Sequence, residues 1–525
     1  MSDGKKCVAK RGILHKFLRG EHGSVSWIMG AAAFPVVVAA GVAIDSIRIN
    51  REQTSFAAAV DSAALAVAAS EDSDFTGLST AQKNQRLQEL GALAQDYIEK
   101  NYQSTAPAGV IDTELTITDT TVEVHATREI PMTLTSLIGI EHANLDATAE
   151  VTRGNPSEDG LSKVEIAMVL DTTGSMSGTK ITALKNAAHS MKNIVFGADN
   201  ATNDDVRMAI VPFSTAVNVG SSNNNASWLD TTGLSSYSRA NFSQSAGLRH
   251  NMWAWNAIGR AWPGCVEMRQ GSYATDDTAP TSAIPATLYT PMFAPDEPSI
   301  QYSGNNYPNS YMSDVTSSTS HQTRQQYTQK YTPTATITTS SGRGPDYNCK
   351  MAPIVPLTST KVNITNGINA LTAVGSTIIS EGAAWGWRVL SPTAPFTQGS
   401  AYDSEWAKIL VIMTDGENDL SSNSSFNGSP YTTVGYLAQN RLGSTTASGG
   451  ESVLNTRLAT TCTNAKATGI TVYTIGFQIP SNTVRTLLLN CATDPSKFIE
   501  APSEADLIEA FEMIGNDLAE MYLSK

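Results

Sequence analysis

The stretch Val164–Lys180, VEIAMVLDTTGSMSGTK, decides the fold. Apart from Glu165 it opens as an apolar run of the kind that lies buried inside a sheet, and the run ends on the carboxylate of Asp171. Thr172, Thr173, Gly174 and Ser175 follow, residue types that favour turns and helix starts. Ile181, Leu184, Ala187, Ala188 and Met191 then recur at helical spacing. The reading is strand, tight turn, helix. Downstream, the periodicity predicts a strand over 206–213, helices over 359–371 and 378–390, a strand over 408–413, a helix over 451–468 and a strand over 471–477. A helix over 482–490, a short strand near Phe498 and a last helix from Ser503 to about Met521 complete the pattern. Strands alternating with helices imply an α/β domain over 163–525: a mostly parallel sheet with helices on both faces.

Between Ser214 and about Pro353 the alternation lapses. This segment is rich in Ser, Thr, Asn, Tyr and Trp and carries two cysteines, so it reads as an ordered insertion rather than a structureless loop. If APIVPLTS (352–359) pairs antiparallel to VRMAIVPFS (206–214), the insertion interrupts the hairpin between them and turns at the edge that holds Asp171. The polar loop 421–443 lies at that edge too. The insertion is then expected to crown this face, with Trp253, Trp255 and Trp262 serving as partner-binding anchors or as the insertion's own core.

In open α/β sheets ligands bind beyond the carboxyl ends of the strands, where the strand order reverses. Asp171, Thr173 and Ser175 offer alternate residues at such an end. The strand in KILVIMTDGEN (408–418) delivers Asp415 to the same edge, and the loop between helices 359–371 and 378–390 offers Thr377. Carboxylates and hydroxyls are hard oxygen ligands that suit Mg²⁺, Mn²⁺ or Ca²⁺. Singly, each piece is ordinary: DTTGS serves as a helix cap with a glycine turn, and TDGEN as a turn. Their order and their shared strand-end placement distinguish them. A phosphate loop is excluded because GSMSGTK lacks the adjacent Gly-Lys-Ser/Thr, and an EF-hand is excluded for want of its acidic loop. His125, His142, His189, His250 and His321 are scattered and form no Ser-His-Asp or metalloprotease pattern, so the chain reads as a binding module and not as an enzyme.

DTTGS, GST (375–377) and TDGEN, in that order, resemble the von Willebrand factor type A domain and its metal-ion-dependent adhesion site. The resemblance implies that Asp171, Thr173, Ser175, Thr377 and Asp415 hold one divalent cation. It also implies an open coordination position for an acidic side chain of a protein partner. Thr173 stands where that family usually has Ser, and the hydroxyl is kept.

The chain has 525 residues and a formal charge of −14, which argues against general affinity for nucleic acid. Its positive charge gathers at the start, at Lys5, Lys6, Lys10, Arg11, Lys16 and Arg19, ahead of an uncharged run from Gly23 to Ile44. As a helix that run reaches ~33 Å, against a hydrocarbon core of ~30 Å. The reading is a cytoplasmic basic segment (1–22) and a transmembrane helix (23–45) containing Val25, Trp27, Pro35 and Ile44, with the bulk of the chain outside. The alternative is a cleaved signal peptide ending near Gly41–Ala43. A type IV prepilin is excluded because neither Gly20 nor Gly23 is followed by Glu at the fifth mature position. Residues 46–153 read as a small α+β module of two helices, a hairpin and one further strand, joined by a linker over 154–162. Cys7 falls on the cytoplasmic side. The other four cysteines lie outside and pair most simply, by proximity, as Cys265–Cys349 and Cys462–Cys491, one of three connectivities.

A second resemblance spans much of the chain. The segment from Gly23 through the Ala-rich helix that follows, with WPGCVEMR (262–269), FAPDEP (293–298), ISEGAAWGWRVLSP (379–392), CTNAKATGITVYTIGF (462–477) and the closing LSK, is similar to TadG-like proteins of the bacterial tight-adherence (Flp) pilus system. That resemblance implies a single-pass protein of the bacterial inner membrane, its bulk periplasmic or extracellular, assisting pilus assembly or adhesion. Its partner would be another pilus component. A scaffold whose metal site only stabilises it, or an adhesin outside the pilus system, are the alternatives.

Overall fold

A computed structural model describes residues 24–70, 80–102, 104, 109–118, 121–152, 163–197, 201–299, 301–302, 305–316, 318–338, 342–479 and 481–520. The basic segment 1–22 with Cys7, the linker 154–162 and the closing LSK lie outside the described residues. The chain divides into two compact units, Met1–Asn155 and Pro156–Lys525.

In the first unit, α1 (Ser24–Ala68) and α2 (Thr80–Asn101) cover an antiparallel sheet of β1 (Ile111–Ile117), β2 (Thr121–Pro131) and β3 (His142–Thr152), in that order. Small residues let α1 lie close: Ala59, Val60, Ala63, Ala64 and Val67 are buried, with Leu90, Ala94 and Ile98 of α2 and alternate residues of β2 such as Val122, Val124 and Ala126. The buried Glu52 carboxylate accepts a hydrogen bond from the Tyr102 hydroxyl (2.6 Å), which ties the end of α2 to α1. Among the described residues no helix is long and apolar enough to cross a membrane, so the expected span at 23–45 does not stand out as one. Side chains at 23–31, 34 and 37 of that run lie outside those described. The side chains of Val25 and Trp27 lie outside those described, while Pro35 and Ile44 are exposed on α1.

The second unit is built on β4 (Lys163–Asp171), α3 (Thr179–Phe196) and β5 (Val206–Phe213). Its insertion contains β6 (Val217–Asn218), α4 (Ser236–Arg239), α5 (Asn251–Ala257), β7 (Cys265–Glu267), β8 (Thr290–Pro291), β9 (Gln301–Tyr302), β10 (Asn305–Asn306) and α6 (His321–Gln326). The chain returns to the sheet through β11 (Val355–Thr358), α7 (Lys361–Ala370), α8 (Ile379–Leu390), β12 (Trp406–Thr414) and α9 (Ala447–Ala467). It ends with β13 (Thr471–Phe477), α10 (Asn482–Cys491), β14 (Phe498–Ala501) and α11 (Glu504–Leu518). The central order is β14-β13-β12-β4-β5, all parallel, and β11 pairs antiparallel to β5 with Val355 opposite Ile210. From β4 the chain winds outward through β5 to β11, then returns and winds the other way from β12. The order therefore reverses between β4 and β12, which opens a crevice at their carboxyl ends.

Alternation along β4 sends Val164, Ile166, Met168 and Leu170 to a core with Leu184 and Met191 of α3, Ile364 and Ile368 of α7, and Leu507, Phe511 and Ile514 of α11. Ala167 and Val169 face the opposite core, with Trp385 and Val389 of α8, Leu458 and Ala465 of α9 and Cys491 of α10. Helices cover both faces. The helix expected over 451–468 starts a turn earlier, where Thr446 accepts from the Gly449 backbone N–H (3.3 Å). Gly449 and Gly450, which break helices in isolation, are carried inside it. Cys265 is bonded to Cys349 (Cα–Cα 5.8 Å) and Cys462 to Cys491 (Cα–Cα 5.1 Å).

The insertion has its own core. Trp255 and Trp262 are buried and donate their indole N–H groups to the backbone carbonyls of Met292 (3.0 Å) and Cys265 (2.9 Å), so the anchor role considered for them is replaced by packing. Trp253 is half-buried against Phe242 and Tyr331, with the Arg249 guanidinium 4.6 Å from its ring centre.

α8 lies hard against the sheet. A methyl at Gly386 would stand 2.3 Å from Val169 Cγ2 and 2.5 Å from Leu410 Cδ1, and one at Gly382 would stand 2.6 Å from the Phe213 ring. Gly386→Ala is expected to destabilise the second unit by about 1–3 kcal/mol through overpacking. Gly91→Ala, where nothing lies within 4 Å of the added methyl on α2, is expected to add up to about 1 kcal/mol to the first. Scanning calorimetry of the two variants checks this, and an unchanged transition for Gly386→Ala would contradict the close approach.

Candidate metal centre

The site forms where β4 and β12 end side by side. Their register pairs Leu170 with Met413, which sets Asp171 beside Thr414 and brings Asp415 in next. The loop after Asp171 is fixed by its own backbone. The Thr173 N–H donates to Asp171 Oδ1 (2.9 Å), the turn that Asp favours, and the Thr172 N–H and hydroxyl both donate to the Phe213 carbonyl of β5 (2.9 Å each). This turn aims Thr173 and Ser175 at one point. Their hydroxyl oxygens are 2.8 Å apart, and the Ser175 hydroxyl donates to Asp415 Oδ1 (2.6 Å). The Thr414 hydroxyl donates to Asp171 Oδ2 (2.6 Å).

The loop between α7 and α8 docks onto this turn through its backbone. The Gly174 N–H donates to the Gly375 carbonyl (2.9 Å) and the Val374 N–H to the Thr172 carbonyl (2.8 Å). Gly375 is in the left-handed region (φ +73°), and a methyl on it would stand 2.3 Å from the Thr215 hydroxyl, so both its conformation and its surroundings demand glycine. Thr377 is then buried beside the turn that follows Asp415: its carbonyl accepts from the Asp419 N–H (2.8 Å), and a methyl on Gly416 would lie 4.0 Å from its hydroxyl. Asn418 closes the stitch by accepting from the Ile379 N–H at the start of α8 (2.8 Å). The structure thus gathers Asp171, Thr173, Ser175 and Asp415 through side-chain contacts. It brings Thr377 alongside through the backbone.

Thr414, Lys180 and Asn418 were not singled out by the sequence reading. The Lys180 ammonium donates to Asp415 Oδ2 (2.8 Å) and lies 5.4 Å from the Phe477 ring centre. The only sequence signal for it is its position at the start of a helix that follows a polar turn. The insertion is rooted here as well: the Thr215 hydroxyl accepts from the Ser376 N–H (2.9 Å) and the Thr215 carbonyl from the Thr433 N–H (3.2 Å). Farther up the loop after Asp415, the buried Glu267 accepts from Asn251 (2.8 Å), Arg441 (2.5 Å) and the Tyr431 hydroxyl, which binds that loop to the insertion.

Electrostatically the site is short of positive charge. Burial pushes the Asp171 carboxyl up to about 6, and the negative charge of Asp415 adds to the rise. The hydrogen bonds from Thr414 and Thr173 work against it. Two carboxylates and three hydroxyls make a hard, all-oxygen donor set that matches a Mg²⁺-type cation and offers nothing to a soft one. Among the described residues no group of three or more His, Cys, Asp or Glu side chains is placed to hold a metal. Metal binding at this site would therefore depend on the hydroxyls.

Residues 23–70 match the family model described as putative Flp pilus-assembly TadE/G-like. No curated protein matches the chain. Among solved structures it is similar to the pilus adhesin SpaC of Lactobacillus rhamnosus GG (11% identity, TM-score 0.30, covering 79% of this chain and 35% of that one). It is also similar to the vWF domain of the type V pili tip protein Mfa5 of Porphyromonas gingivalis (11%, TM-score 0.32, 70% and 98%). A third likeness is to proximal thread matrix protein 1 of the mussel byssus with a zinc-occupied MIDAS motif (11%, TM-score 0.27, 68% and 47%). The chain thus spans about a third of SpaC and about half of the byssus protein. At such TM-scores the von Willebrand factor A-like assignment rests on this chain's own strand order and strand-end loops.

The folded Asp171 carboxyl sits above its unfolded value, so it is the ionised form that the fold penalises. In metal-free protein the penalty is absent below about pH 4, grows up to about pH 6 and is complete above that. Asp171→Asn is expected to stabilise the chelator-treated second unit at pH 7 by up to about 3 kcal/mol and to flatten its decline between pH 4 and 6. Denaturant titrations at several pH values check this; a variant less stable than wild type at pH 7 would contradict it.

Proposed function

We propose that this chain is a membrane-anchored, non-enzymatic component of tight-adherence pilus assembly or adhesion. In this reading it binds a protein partner through a divalent cation held by Asp171, Thr173, Ser175, Thr377 and Asp415. The TadE/G-like segment at 23–70 supports a role in pilus assembly or adhesion at the cell envelope. The observation that carries the metal reading is the fully buried Asp171, charged at neutral pH beside a second carboxylate and ringed by hydroxyls. Burying two carboxylates with the single ammonium of Lys180 leaves one negative charge unanswered, a cost that a bound cation would offset.

When bound, Mg²⁺ (or Mn²⁺ or Ca²⁺) would neutralise the carboxylate pair and present an open position to one external oxygen ligand. The protein's part is positioning. Thr414 holds Asp171, the Asx turn aims Thr173 and Ser175, and the Asp419–Thr377 and Asn418–Ile379 hydrogen bonds fix the third loop. The partner's donor is then an Asp or Glu side chain, and the insertion rooted at Thr215 would form part of the surface around it. The sequence run Gly23–Ile44 with the basic residues before it supports an inner-membrane anchor, N-terminus inside and bulk outside.

One observation favours a second reading. Lys180 already pairs with Asp415, its own side chain a quarter exposed and that of Asp415 fully buried. A site closed in this way by an ammonium would be structural, and the protein a scaffold.

Two measurements separate these readings. Millimolar Mg²⁺ is expected to raise the melting temperature of wild type and not of Asp171→Ala, and pull-down of envelope partners is expected to fail with chelator or with Asp171→Ala. No Mg²⁺ response in a folded wild type would favour the scaffold. Lys180→Ala removes the competing charge and is expected to tighten Mg²⁺ binding about tenfold, the equivalent of roughly 1.4 kcal/mol. Unchanged affinity in titration calorimetry would show that Lys180 does not compete.

A further inference from the structure

The first unit exposes aliphatic side chains in an unusual place. The connection between β2 and β3 makes a 3-10 turn at Thr135–Ile138, and Leu134, Ile138 and Ile140 on it are 37%, 44% and 50% exposed. Turns of this kind are ordinarily polar. The turn is rigidly held, since Met132 N–H donates to the Glu141 carbonyl (2.8 Å) at its base and Gly139 reverses the chain in the left-handed region (φ +92°).

It is held, moreover, against one level of α1. Asp45 Oδ2 accepts from the Leu134 N–H (2.8 Å), the Thr135 N–H (2.8 Å) and the Thr135 hydroxyl (3.0 Å). A methyl on Gly41 would stand 3.1 Å from Leu134 Cβ, and Arg48 donates to the Thr133 hydroxyl (2.5 Å). Gly41, Asp45 and Arg48 share the helical face turned to the loop. Flanking them, Val42, Ile44 and Ile47 are 40%, 56% and 62% exposed. Two segments remote in sequence thus present uncovered aliphatics at one height, and that height is where the uncharged run Gly23–Ile44 ends.

We propose that this turn is a lipid-contacting foot, seating Leu134, Ile138 and Ile140 in the interfacial zone of the outer leaflet of the membrane that α1 enters. The inference rests on the anchoring reading given above. The occupant is lipid because Val42 and Ile44 belong to the uncharged run of α1 and the turn is held at their level, with Asp45 and Arg48 engaged by the turn itself. Asp45, the first acidic group after that run, is not left bare but capped by the turn's own N–H groups, as a carboxylate at a hydrocarbon boundary requires. Aliphatic groups at this depth gain from leaving water while backbone and hydroxyls stay in the headgroup layer. The foot would fix the tilt and height of the first unit on the membrane.

The test uses the full chain, with Cys7→Ser to remove the thiol outside the disulfides, reconstituted into phosphatidylcholine–phosphatidylglycerol vesicles. A polarity-sensitive fluorophore is placed at Ile138→Cys, independently at Ile140→Cys, and at Glu123→Cys near the far end of β2 as reference. Flotation after an alkaline wash reports the anchor, and quenching by lipids carrying a nitroxide high on the acyl chain reports the foot. The expected result is flotation of every variant, with a blue shift and severalfold stronger quenching at 138 and 140 than at 123. Flotation with equal, weak quenching at all three sites would overturn the foot and leave the anchor standing. Failure of the wild-type chain to float would overturn the anchor and the foot with it.

Discussion

Two carboxylates end adjacent parallel strands, and the rest of the second unit is arranged around that fact. Because Leu170 is level with Met413, Asp171 and Asp415 cannot avoid one another, and burial with the nearby Asp415 charge raises the Asp171 pKa. A slip of one residue by either strand in the β4–β12 register would turn that strand's alternating side chains toward the wrong cores. The hydrophobic layers therefore fix the electrostatics. The apolar residues of β4 and β12 determine how near the charges come, and the loops beyond the strands determine what answers them.

What answers them is a shell of hydroxyls and one lysine, positioned by backbone contacts more than by side-chain packing. Gly375 allows the third loop to approach Thr215 and Gly174, Asn418 and Asp419 stitch that loop to the turn after Asp415, and α8 leaves from the stitch with Gly382 and Gly386 flattened on the sheet. Tightly packed helix, short loop and strand end form one rigid support. A rigid support suits the proposed role of holding an ion and a partner's carboxylate in fixed geometry.

Most of this architecture was legible in the sequence because two periods are written plainly in it. The apolar run before Asp171 and that in KILVIMT read as central strands, and α8, α10 and α11 carry clear apolar repeats. The antiparallel return of APIVPLTS against β5 was likewise readable from its apolar run and its place after the insertion. Less legible was whatever depends on tertiary partners. Gly450 lies inside α9 against Leu420 and Leu442, and Gly449 beside Ser444 with its N–H capped by Thr446, contacts that outweigh their low propensity. Trp255 and Trp262 are core residues because the insertion is large enough to supply carbonyl acceptors for their indoles, which composition does not reveal. Lys180 and Thr414 touch the carboxylates only after strand register and helix start have been set, so neither has a signature of its own. The foot of the first unit was hidden for a related reason. Nothing in TLTSLIGI (133–140) marks it as a turn capped by Asp45, far away in sequence.

In the proposed reading the strand-end cluster is a cation site completed by hydroxyls. Electron paramagnetic resonance of Mn²⁺ titrated into the purified chain tests it most directly, since the free ion gives a sharp six-line signal that binding suppresses. The signal is expected to be lost up to one equivalent in wild type and to return in folded Ser175→Ala and Asp415→Asn variants. An undiminished signal in wild type, or equal suppression in both variants, would contradict it.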